Sequence, residues 1–225
     1  MIKNISKFKG HLSKLDSLST SFVPKKSRVL DLGCADGLIG RFLKSNLNCE
    51  VIGVEIDKRA AINAKKYLDK VIIGDLENIA TYKLIYKQGK FDVIFASAIL
   101  EHLKHPQIAL KQITKSLKKD GIIIISLPNI AFWAIRFDLL KGNFNYTKSG
   151  IMDKTHLKFF TVKTALRFLE KECNLKIKII DYDLPEVPIF SKLAKLIITK
   201  KCQEKIFRSF PNLFAYQVLV VAKIK

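Results

Sequence analysis

The stretch Val29-Leu30-Asp31-Leu32-Gly33-Cys34-Ala35-Asp36-Gly37-Leu38-Ile39-Gly40 decides the fold of this chain. Its first four residues suit a parallel strand buried on both faces, because such strands are rich in Val and Leu. Gly33 and Gly37 then allow the backbone to turn sharply and to approach a ligand closely. The pattern predicts a strand, a tight turn and a helix start, a corner that suits nucleotide-like ligands. The alternative is an ordinary glycine turn with Asp36 capping the helix.

The residues of this turn indicate which ligand the corner binds. The dinucleotide fingerprint G-x-G-x-x-G is not met, because Ala35 and Leu38 occupy the positions of its second and third glycines. NAD and FAD are therefore disfavoured. Asp31 at the strand end and Asp36 in the loop would repel a pyrophosphate but attract a cationic ligand. S-adenosylmethionine (SAM) carries an ammonium and a sulfonium, the charges that this turn favours.

Strands and helices alternate along the chain after this corner. Strands are predicted over 50–55, 71–73, 91–96 and 122–127, and helices over 38–45, 60–68 and 106–117. Lys119-Asp120-Gly121 is predicted to be a turn. Because the connections are short, the pattern indicates an α/β fold with a doubly wound, mostly parallel sheet.

Two acidic residues follow the second and third predicted strands. Glu55 lies about 20 residues beyond the glycine loop, where a βαβ unit places a carboxylate over the ribose hydroxyls of a nucleotide. Asp75 follows Gly74 in the next loop and can accept a hydrogen bond from an adenine amino group. An ordinary strand-end Glu and a common Gly-Asp turn are the structural alternatives.

In order and spacing, these features resemble the class I SAM-dependent methyltransferases. The resemblance rests on Val29 to Gly37, Gly53-Val54-Glu55, Gly74-Asp75, and Phe91-Asp92-Val93-Ile94 followed by Glu101-His102. It covers nearly the whole chain and implies a Rossmann-like seven-stranded sheet with an antiparallel last strand, in which 175–182 and 214–223 are the final strands. Ala35 departs from the glycine of many members. The resemblance implies SAM as cofactor, bound by Asp31, Gly33, Cys34, Ala35, Gly37, Glu55, Ile56, Asp75, Leu76 and Ser97.

Three further segments are similar to a subgroup of this family that is often associated with bacterial cell-surface glycan biosynthesis. They are Leu127-Pro128-Asn129, residues 146–161 and Pro211 to Gln217. The similarity favours methyl transfer to a hydroxyl of a saccharide or sugar-linked acceptor. A quinone, a carboxylate and RNA are the alternative acceptors. A non-enzymatic role as a SAM-binding regulatory or scaffold module is the alternative from another class.

The histidines are the candidates for acid–base chemistry. An alcohol oxygen is a poor nucleophile at neutral pH, so transfer to a hydroxyl benefits from a general base. His156 is the first candidate, with Asp153 to orient its ring, and His102 beside Glu101 is the second. For both histidines a structural role is the alternative. No metal ion is predicted, because Glu101, His102 and His105 lack an evident further ligand.

A single domain is predicted to span residues 1–225, with three additions to the sheet. Residues 1–27 form an N-terminal helical cap, 130–160 an acceptor-binding lid and 187–210 a basic helical insertion. Seven Phe, Tyr and Trp residues lie in the lid, which suits a hydrophobic cover or a platform on which sugar rings or bases stack. Core packing of an inserted helix is the alternative.

The chain is strongly basic, with a formal net charge of +20. Only six of its 40 basic residues are Arg and the Lys residues are scattered, which favours a solvated surface over a nucleic-acid-binding face. The expected partner is therefore a small-molecule or glycan acceptor rather than nucleic acid. As an amphipathic helix, 187–210 would contact an anionic membrane; packing on the sheet or on another subunit is the alternative. The oligomeric state is left open.

The expected location is the cytoplasm. Peripheral attachment at the inner membrane through 187–210 is considered in addition. The four cysteines show no zinc spacing, and the N-terminus has no apolar signal region. No run of about 18 apolar residues occurs, so a membrane span is not predicted.

Overall fold

A computed structural model describes residues 12–185 and 200–225 of the chain. Its strands are β1 Arg28–Leu32, β2 Glu50–Glu55, β3 Lys70–Ile73, β4 Phe91–Ser97, β5 Leu117–Pro128, β6 Leu175–Asp183 and β7 Gln217–Ile224. They form one seven-stranded sheet in the order β3-β2-β1-β4-β5-β7-β6. Neighbours among β1 to β5 are parallel, and β7 runs antiparallel to β5 and β6. The prediction of a mostly parallel sheet with an antiparallel last strand is confirmed.

Helices lie on the connections between the strands. Their ranges are α1 Lys14–Thr20, α2 Leu38–Leu47, α3 Lys58–Ala64, α4 Ile79–Tyr86, α5 Pro106–Ile113, α6 Trp133–Leu140, α7 Val162–Arg167, α8 Lys200–Ser209 and α9 Pro211–Phe214. Short 3-10 turns cover Leu100–His102 and Thr114–Ser116, and a π-helical turn covers Phe168–Glu172. α4 has no counterpart in the sequence prediction, because its apolar residues do not form a regular stripe.

β1 is buried on both faces, as its apolar residues predicted. Val29 and Leu30 have no exposed surface and belong to two different hydrophobic clusters. Phe95 of β4 shares the cluster of Val29, and Ile94 shares that of Leu30. Because side chains alternate along a strand, successive residues pack against the helix layers on opposite faces of the sheet. This packing gives rigid support to the loops at the strand ends.

β5 begins at Leu117, so Lys119-Asp120-Gly121 belongs to this strand and the predicted turn is wrong. The pairing with β4 changes register between Phe91 and Val93, which makes a bulge in the ladder. A Cβ atom on Gly121 would meet the Leu117 side chain at 2.7 Å. The glycine therefore serves a close approach within a strand, a role that the sequence pattern does not distinguish from a turn.

The C-terminal part of the chain also differs from the prediction at one strand end. β7 begins at Gln217 rather than at Phe214, because Pro211–Phe214 forms the short helix α9. In α8, Arg208 forms ion pairs with Asp181 of β6 at 2.8 Å and with Glu204 at 3.1 Å. The pair with Asp181 connects α8 to the edge strand of the sheet, whereas the pair with Glu204 lies within the helix.

Two of the three predicted additions lie partly outside the described residues. Of the N-terminal cap 1–27, the structure describes residues from 12 onward, including α1. Of the basic insertion 187–210, it describes residues 200–210. Within the ranges 12–185 and 200–225, no helix has both the length and the apolar character needed to cross a membrane.

Candidate cofactor and acceptor site

The glycine loop after β1 has the left-handed backbone that a tight turn requires. Gly33 and Gly37 have φ angles of 67° and 80°. Ala35 also has a positive φ, 44°, although a Cβ atom disfavours this region. Its amide donates a hydrogen bond to Oε2 of Glu55 at 2.9 Å, which supports the unusual conformation. Alanine therefore occupies the position where many family members have glycine without loss of the turn.

Glu55, at the end of β2, is held by backbone amides on both sides of the corner. Its Oε1 accepts from the amides of Ile56 and Asp57, both at 2.8 Å, while its Oε2 accepts from Ala35. The carboxylate thus bridges the glycine loop and the β2–α3 turn. Ile56 is 65% exposed and extends from the same turn. The structure therefore brings Ala35, Glu55 and Ile56 together, and their contact with a cofactor stays a prediction.

Asp31 is buried at the end of β1 and lacks a counter-charge. It is 3% exposed, and among the described residues its Oδ2 has no hydrogen-bond partner. Burial, together with the smaller effects of the nearby charges of Asp16 and Glu55, raises the pKa of this carboxyl to about 7. A buried carboxylate without a partner is costly, so it fits a ligand that brings a cation to this point.

The remaining predicted cofactor residues pack against their neighbours or form hydrogen bonds within the protein. Cys34 is buried against Gly53, where an added Cβ atom would meet its sulfur at 2.5 Å, and burial raises the pKa of its thiol. Leu76 is part of the core. Asp75 accepts from the Glu77 amide at 2.8 Å, and Ser97 Oγ lies 3.0 Å from Ser126 Oγ. All of them follow or adjoin the C-terminal ends of strands.

The end of β4 connects this corner to a second group of polar residues. Ile99 lies over Gly33, where an added Cβ atom would meet its side chain at 2.6 Å. The 3-10 turn Leu100–His102 follows at once and carries Glu101 and His102. These two residues are therefore placed next to the glycine loop by the chain itself.

The lid brings His156 to the same place. The amides of Leu157 and Lys158 both donate to the Glu101 carbonyl oxygen, at 2.8 and 3.0 Å. As a result, His156 Nε2 lies 3.9 Å from Glu101 Oε1, and the imidazole centroids of His156 and His102 are 4.7 Å apart. The two histidines considered as alternative bases thus form one cluster.

Asp153 orients His102 rather than His156, which corrects the pairing expected from sequence. Its Oδ1 accepts from the Thr155 amide at 2.8 Å and from the Thr155 hydroxyl at 2.7 Å. That hydroxyl oxygen lies 3.1 Å from His102 Nδ1. The His156 Nδ1 lies instead 3.0 Å from the Ile151 carbonyl oxygen. The reason is local: Asp153 closes a turn with its own neighbour, Thr155.

Burial shapes the electrostatics of this cluster. Glu101 has no exposed surface, and neither carboxylate oxygen has a hydrogen-bond partner in the described part of the chain. Burial raises its pKa to about 8. Burial also lowers the pKa of His156, whose side chain is only 6% exposed. Hydrogen bonds from the Thr155 hydroxyl and amide lower the pKa of Asp153 below its ordinary value.

The aromatic residues of the lid divide into two groups. Phe132 and Phe160 are buried in the protein. Phe137, Phe144 and Tyr146 are each more than half exposed, and α6 has no buried residue. Two lid aromatics thus pack in the protein interior although the inserted helix α6 does not, and the role of the exposed ones as an acceptor platform stays a prediction.

A groove of about 520 Å³ between α4 and α5 contains none of the predicted site residues. His105, considered from sequence beside Glu101, lines this groove instead of the histidine cluster.

A family model described as a methyltransferase domain matches residues 9–177. The chain belongs to this methyltransferase family. Over 158 residues it is 27% identical to the ubiquinone biosynthesis O-methyltransferase of Pelagibacter ubique, a match that covers 70% of this chain and 65% of that protein. Over 113 residues it is 35% identical to the ribosomal protein L11 methyltransferase of Thermosipho africanus, covering 48% of this chain and 42% of the relative. The chain thus spans less than two thirds of either relative.

Solved structures of methyltransferases share the fold of this domain. A SAM-dependent methyltransferase of Thermotoga maritima superposes with a TM-score of 0.60 at 17% identity, covering 93% of this chain and 87% of that chain. The cofactor of the present methyltransferase domain is SAM. Its corner fits a cofactor with a cationic group, because the buried Asp31 carboxylate has an oxygen without a partner among the described residues.

Three residues of the site were not anticipated as participants. Thr155 links Asp153 to His102, Ile151 holds His156, and Ile99 joins the glycine loop to the cluster. No local sequence signal marks these roles, because each arises from contacts between the lid, the end of β4 and the loop after β1.

Proposed function

We propose that this methyltransferase domain transfers a methyl group from SAM to a hydroxyl oxygen of a saccharide or sugar-linked acceptor. The observation that carries the proposal is the Glu101, His102 and His156 cluster, which adjoins the glycine loop through Ile99. SAM supplies a methyl group already activated on a sulfonium. What the chain adds is binding of the cofactor, alignment of the acceptor and removal of the hydroxyl proton.

The corner residues bind and orient the cofactor. Asp31 pairs with the ammonium, because its buried Oδ2 has no partner in the described structure. Glu55 Oε2 exchanges its hydrogen bond with the Ala35 amide for one with a ribose hydroxyl, while Oε1 stays on the β2–α3 turn. Asp75 is positioned in the loop after β3 to accept from the adenine amino group.

The histidine cluster removes the proton of the acceptor hydroxyl. The Asp153–Thr155 pair holds His102 at its Nδ1, which lies 3.1 Å from the Thr155 hydroxyl oxygen. His156 points inward, toward Glu101, and so acts on the acceptor through its neighbours. Holding the oxygen and the methyl carbon close and in line supplies much of the remaining acceleration.

A quinone-type hydroxyl is the second candidate acceptor. Two observations favour it: the relative from Pelagibacter ubique is named for ubiquinone biosynthesis, and the lid exposes large apolar side chains. Leu140, for example, is 85% exposed on α6. An apolar tail on an acceptor would cover this surface.

The basic segment 187–210 is proposed to contact anionic membrane lipid, and the surface charge is proposed to be solvated rather than to bind nucleic acid. One basic residue of α8, Arg208, already forms ion pairs with Asp181 and Glu204 of the protein. A non-enzymatic SAM-binding module would bind the cofactor and release no S-adenosylhomocysteine with any cell extract.

Calorimetry with SAM followed by mass spectrometry tests the proposal. The chain is expected to bind SAM, and a Gly33→Arg, Glu55→Ala double variant is expected to lose this binding. Surface glycans, nucleotide sugars and quinones from a deletion strain are then compared with the wild type. Loss of about 14 Da, one CH₂, from a glycan supports the proposal. The same loss from a quinone selects the second acceptor, and absence of SAM binding overturns both.

A further inference from the structure

The cluster formed by Glu101, His102 and His156 has the donor set of a metal site. One candidate ligand atom from each residue lies within 4.8 Å of the other two. His156 Nε2 lies 3.9 Å from Glu101 Oε1. Two residues come from the turn after β4 and one from the lid, so the three converge only in the folded chain.

Hydrogen bonds hold one ring nitrogen of each imidazole. His156 Nδ1 lies 3.0 Å from the Ile151 carbonyl oxygen, and His102 Nδ1 lies 3.3 Å from the Thr155 carbonyl oxygen. A carbonyl oxygen only accepts, so each Nδ1 carries the proton and each Nε2 keeps its lone pair. Metal-binding histidines show this arrangement, in which a backbone carbonyl or carboxylate holds the second nitrogen.

Glu101 supplies an independent second observation. The residue has no exposed surface, and neither carboxylate oxygen has a hydrogen-bond partner within the described residues. A buried polar group without a partner is rare in folded proteins and calls for a missing one. The lid cannot provide it from the Leu157 and Lys158 amides, because both are used by the Glu101 carbonyl oxygen.

We infer that Glu101, His102 and His156 bind one divalent transition-metal ion of the Zn²⁺ type. Two imidazole nitrogens and one carboxylate suit Zn²⁺, Co²⁺ or Fe²⁺, whereas Mg²⁺ and Ca²⁺ prefer oxygen ligands throughout. Three protein ligands leave a coordination position open. Binding would draw the ligand atoms to about 3.4 Å from one another, the spacing of a tetrahedral site with bonds of about 2.1 Å.

The catalytic role of the ion, unlike its binding, rests on the proposed function. An acceptor hydroxyl that reaches the open position has a lowered pKa and loses its proton to water. The O–CH₃ bond then forms as the C–S bond breaks, and the electron pair of that bond stays on sulfur. In this form His102 and His156 act as ligands, and the ion takes over the activation of the oxygen.

Metal titration of the whole chain tests the inference. The protein is freed of metal with a chelator and titrated with Co²⁺, whose visible absorption reports coordination by nitrogen ligands. We expect one ion per chain, displaced by one equivalent of Zn²⁺ and unaffected by about 5 mM Mg²⁺. Glu101→Gln and His156→Asn are expected to weaken binding at least about tenfold. His105→Asn is the matched control and is expected to bind as the wild type.

The outcomes separate this inference from the proposed function. Absence of stoichiometric Co²⁺ binding by the wild-type chain overturns the metal site, as does equal loss in His105→Asn or displacement by Mg²⁺. The wild-type titration does not depend on whether any variant folds. SAM calorimetry on the same samples provides the second readout: loss of SAM binding with intact metal binding contradicts the proposed function alone.

Discussion

At the scale of single residues, the Asp31 carboxylate is expected to lower the stability of the fold while it favours binding of the cofactor. Its carboxyl is buried, and its pKa is raised to about 7 by that burial. Between the unfolded value near pH 4 and the folded value near pH 7, the folded chain binds more protons than the unfolded chain. This contribution to stability is therefore lost as the pH rises through that window.

Asp31→Asn is expected to stabilise the protein at pH 8 while weakening cofactor binding. The amide removes a buried charge, so the free energy of unfolding should rise by about 1–3 kcal/mol more at pH 8 than at pH 5. SAM should bind at least about tenfold more weakly. Urea denaturation and calorimetry measure the two effects. Asp120→Asn, at an exposed position of β5, is the control, and a destabilised Asp31→Asn at pH 8 would contradict the assignment.

The same titration predicts that SAM binds more tightly as the pH rises. From pH 6 to pH 7.5 the ionised fraction of Asp31 grows from about a tenth to about three quarters, partly offset by deprotonation of the SAM ammonium. The dissociation constant should fall about fivefold over this range. Calorimetry at each pH checks it, and Asp31→Asn should remove most of the dependence. A flat profile in the wild type would rule out the Asp31–ammonium pair.

Thr155 is predicted to act by positioning His102. Thr155→Val removes the hydroxyl between Asp153 and His102, which should lower kcat about 10- to 100-fold with KM and SAM binding nearly unchanged. Thr147→Val is the matched lid control, since that hydroxyl donates to the Ser149 carbonyl oxygen. Steady-state kinetics on the identified acceptor make the measurement. Equal effects of the two substitutions would indicate a general role of the lid instead.

At the scale of elements, Asn129 ties the end of β5 to the segment that precedes β7. Its side-chain amide donates to the carbonyl oxygens of Asn212 at 3.0 Å and Ala215 at 2.7 Å, and its Oδ1 accepts from the Ala131 amide. The residue has no exposed surface. Leu127-Pro128-Asn129 and Pro211 to Gln217, two of the segments that resemble the glycan-associated subgroup, are thus joined by the hydrogen bonds of Asn129. We call this connection the Asn129 joint.

Asn129→Asp is expected to destabilise the protein by about 2–4 kcal/mol at pH 7. A carboxylate cannot donate to the carbonyl oxygens that Asn129 serves, and its charge would be buried among them. Thermal unfolding measures the effect. Asn143→Asp, at an exposed position after α6, is the control and should shift stability by less than about 0.5 kcal/mol. A similar melting temperature for both variants would show that the joint contributes little.

At the scale of the whole molecule, the net charge of +20 is predicted to give only weak, salt-sensitive contact with nucleic acid. Scattered lysines bind phosphate without the paired geometry of clustered arginines. Filter binding should detect RNA at about 50 mM salt and lose it by about 200 mM, without preference for sequence. Tight binding that persists at the higher salt would count strongly for an RNA acceptor and against the glycan proposal.

Sequence patterns predicted the sheet and the cofactor corner because both depend on local features. The alternation of buried strands with helices, the glycines of the loop and the acid at the end of β2 are each read within a few residues. The turn predicted at Lys119-Asp120-Gly121 was wrong because a glycine of this kind occurs both in turns and in β-bulges, and Gly121 lies in a bulge of β5. α4 was missed because its residues give a weak periodic signal.

By itself, the sequence determined a methyltransferase-like sheet and SAM as the cofactor, and it predicted Asp31 and Glu55 as residues that bind it. Only the tertiary structure decided that Glu101, His102 and His156 form one cluster and that Asp153 serves His102. The physical reason is that this cluster depends on two backbone hydrogen bonds between the lid and the Glu101 carbonyl oxygen. Those bonds join segments far apart in the chain, and the burial they create sets the chemistry of Glu101.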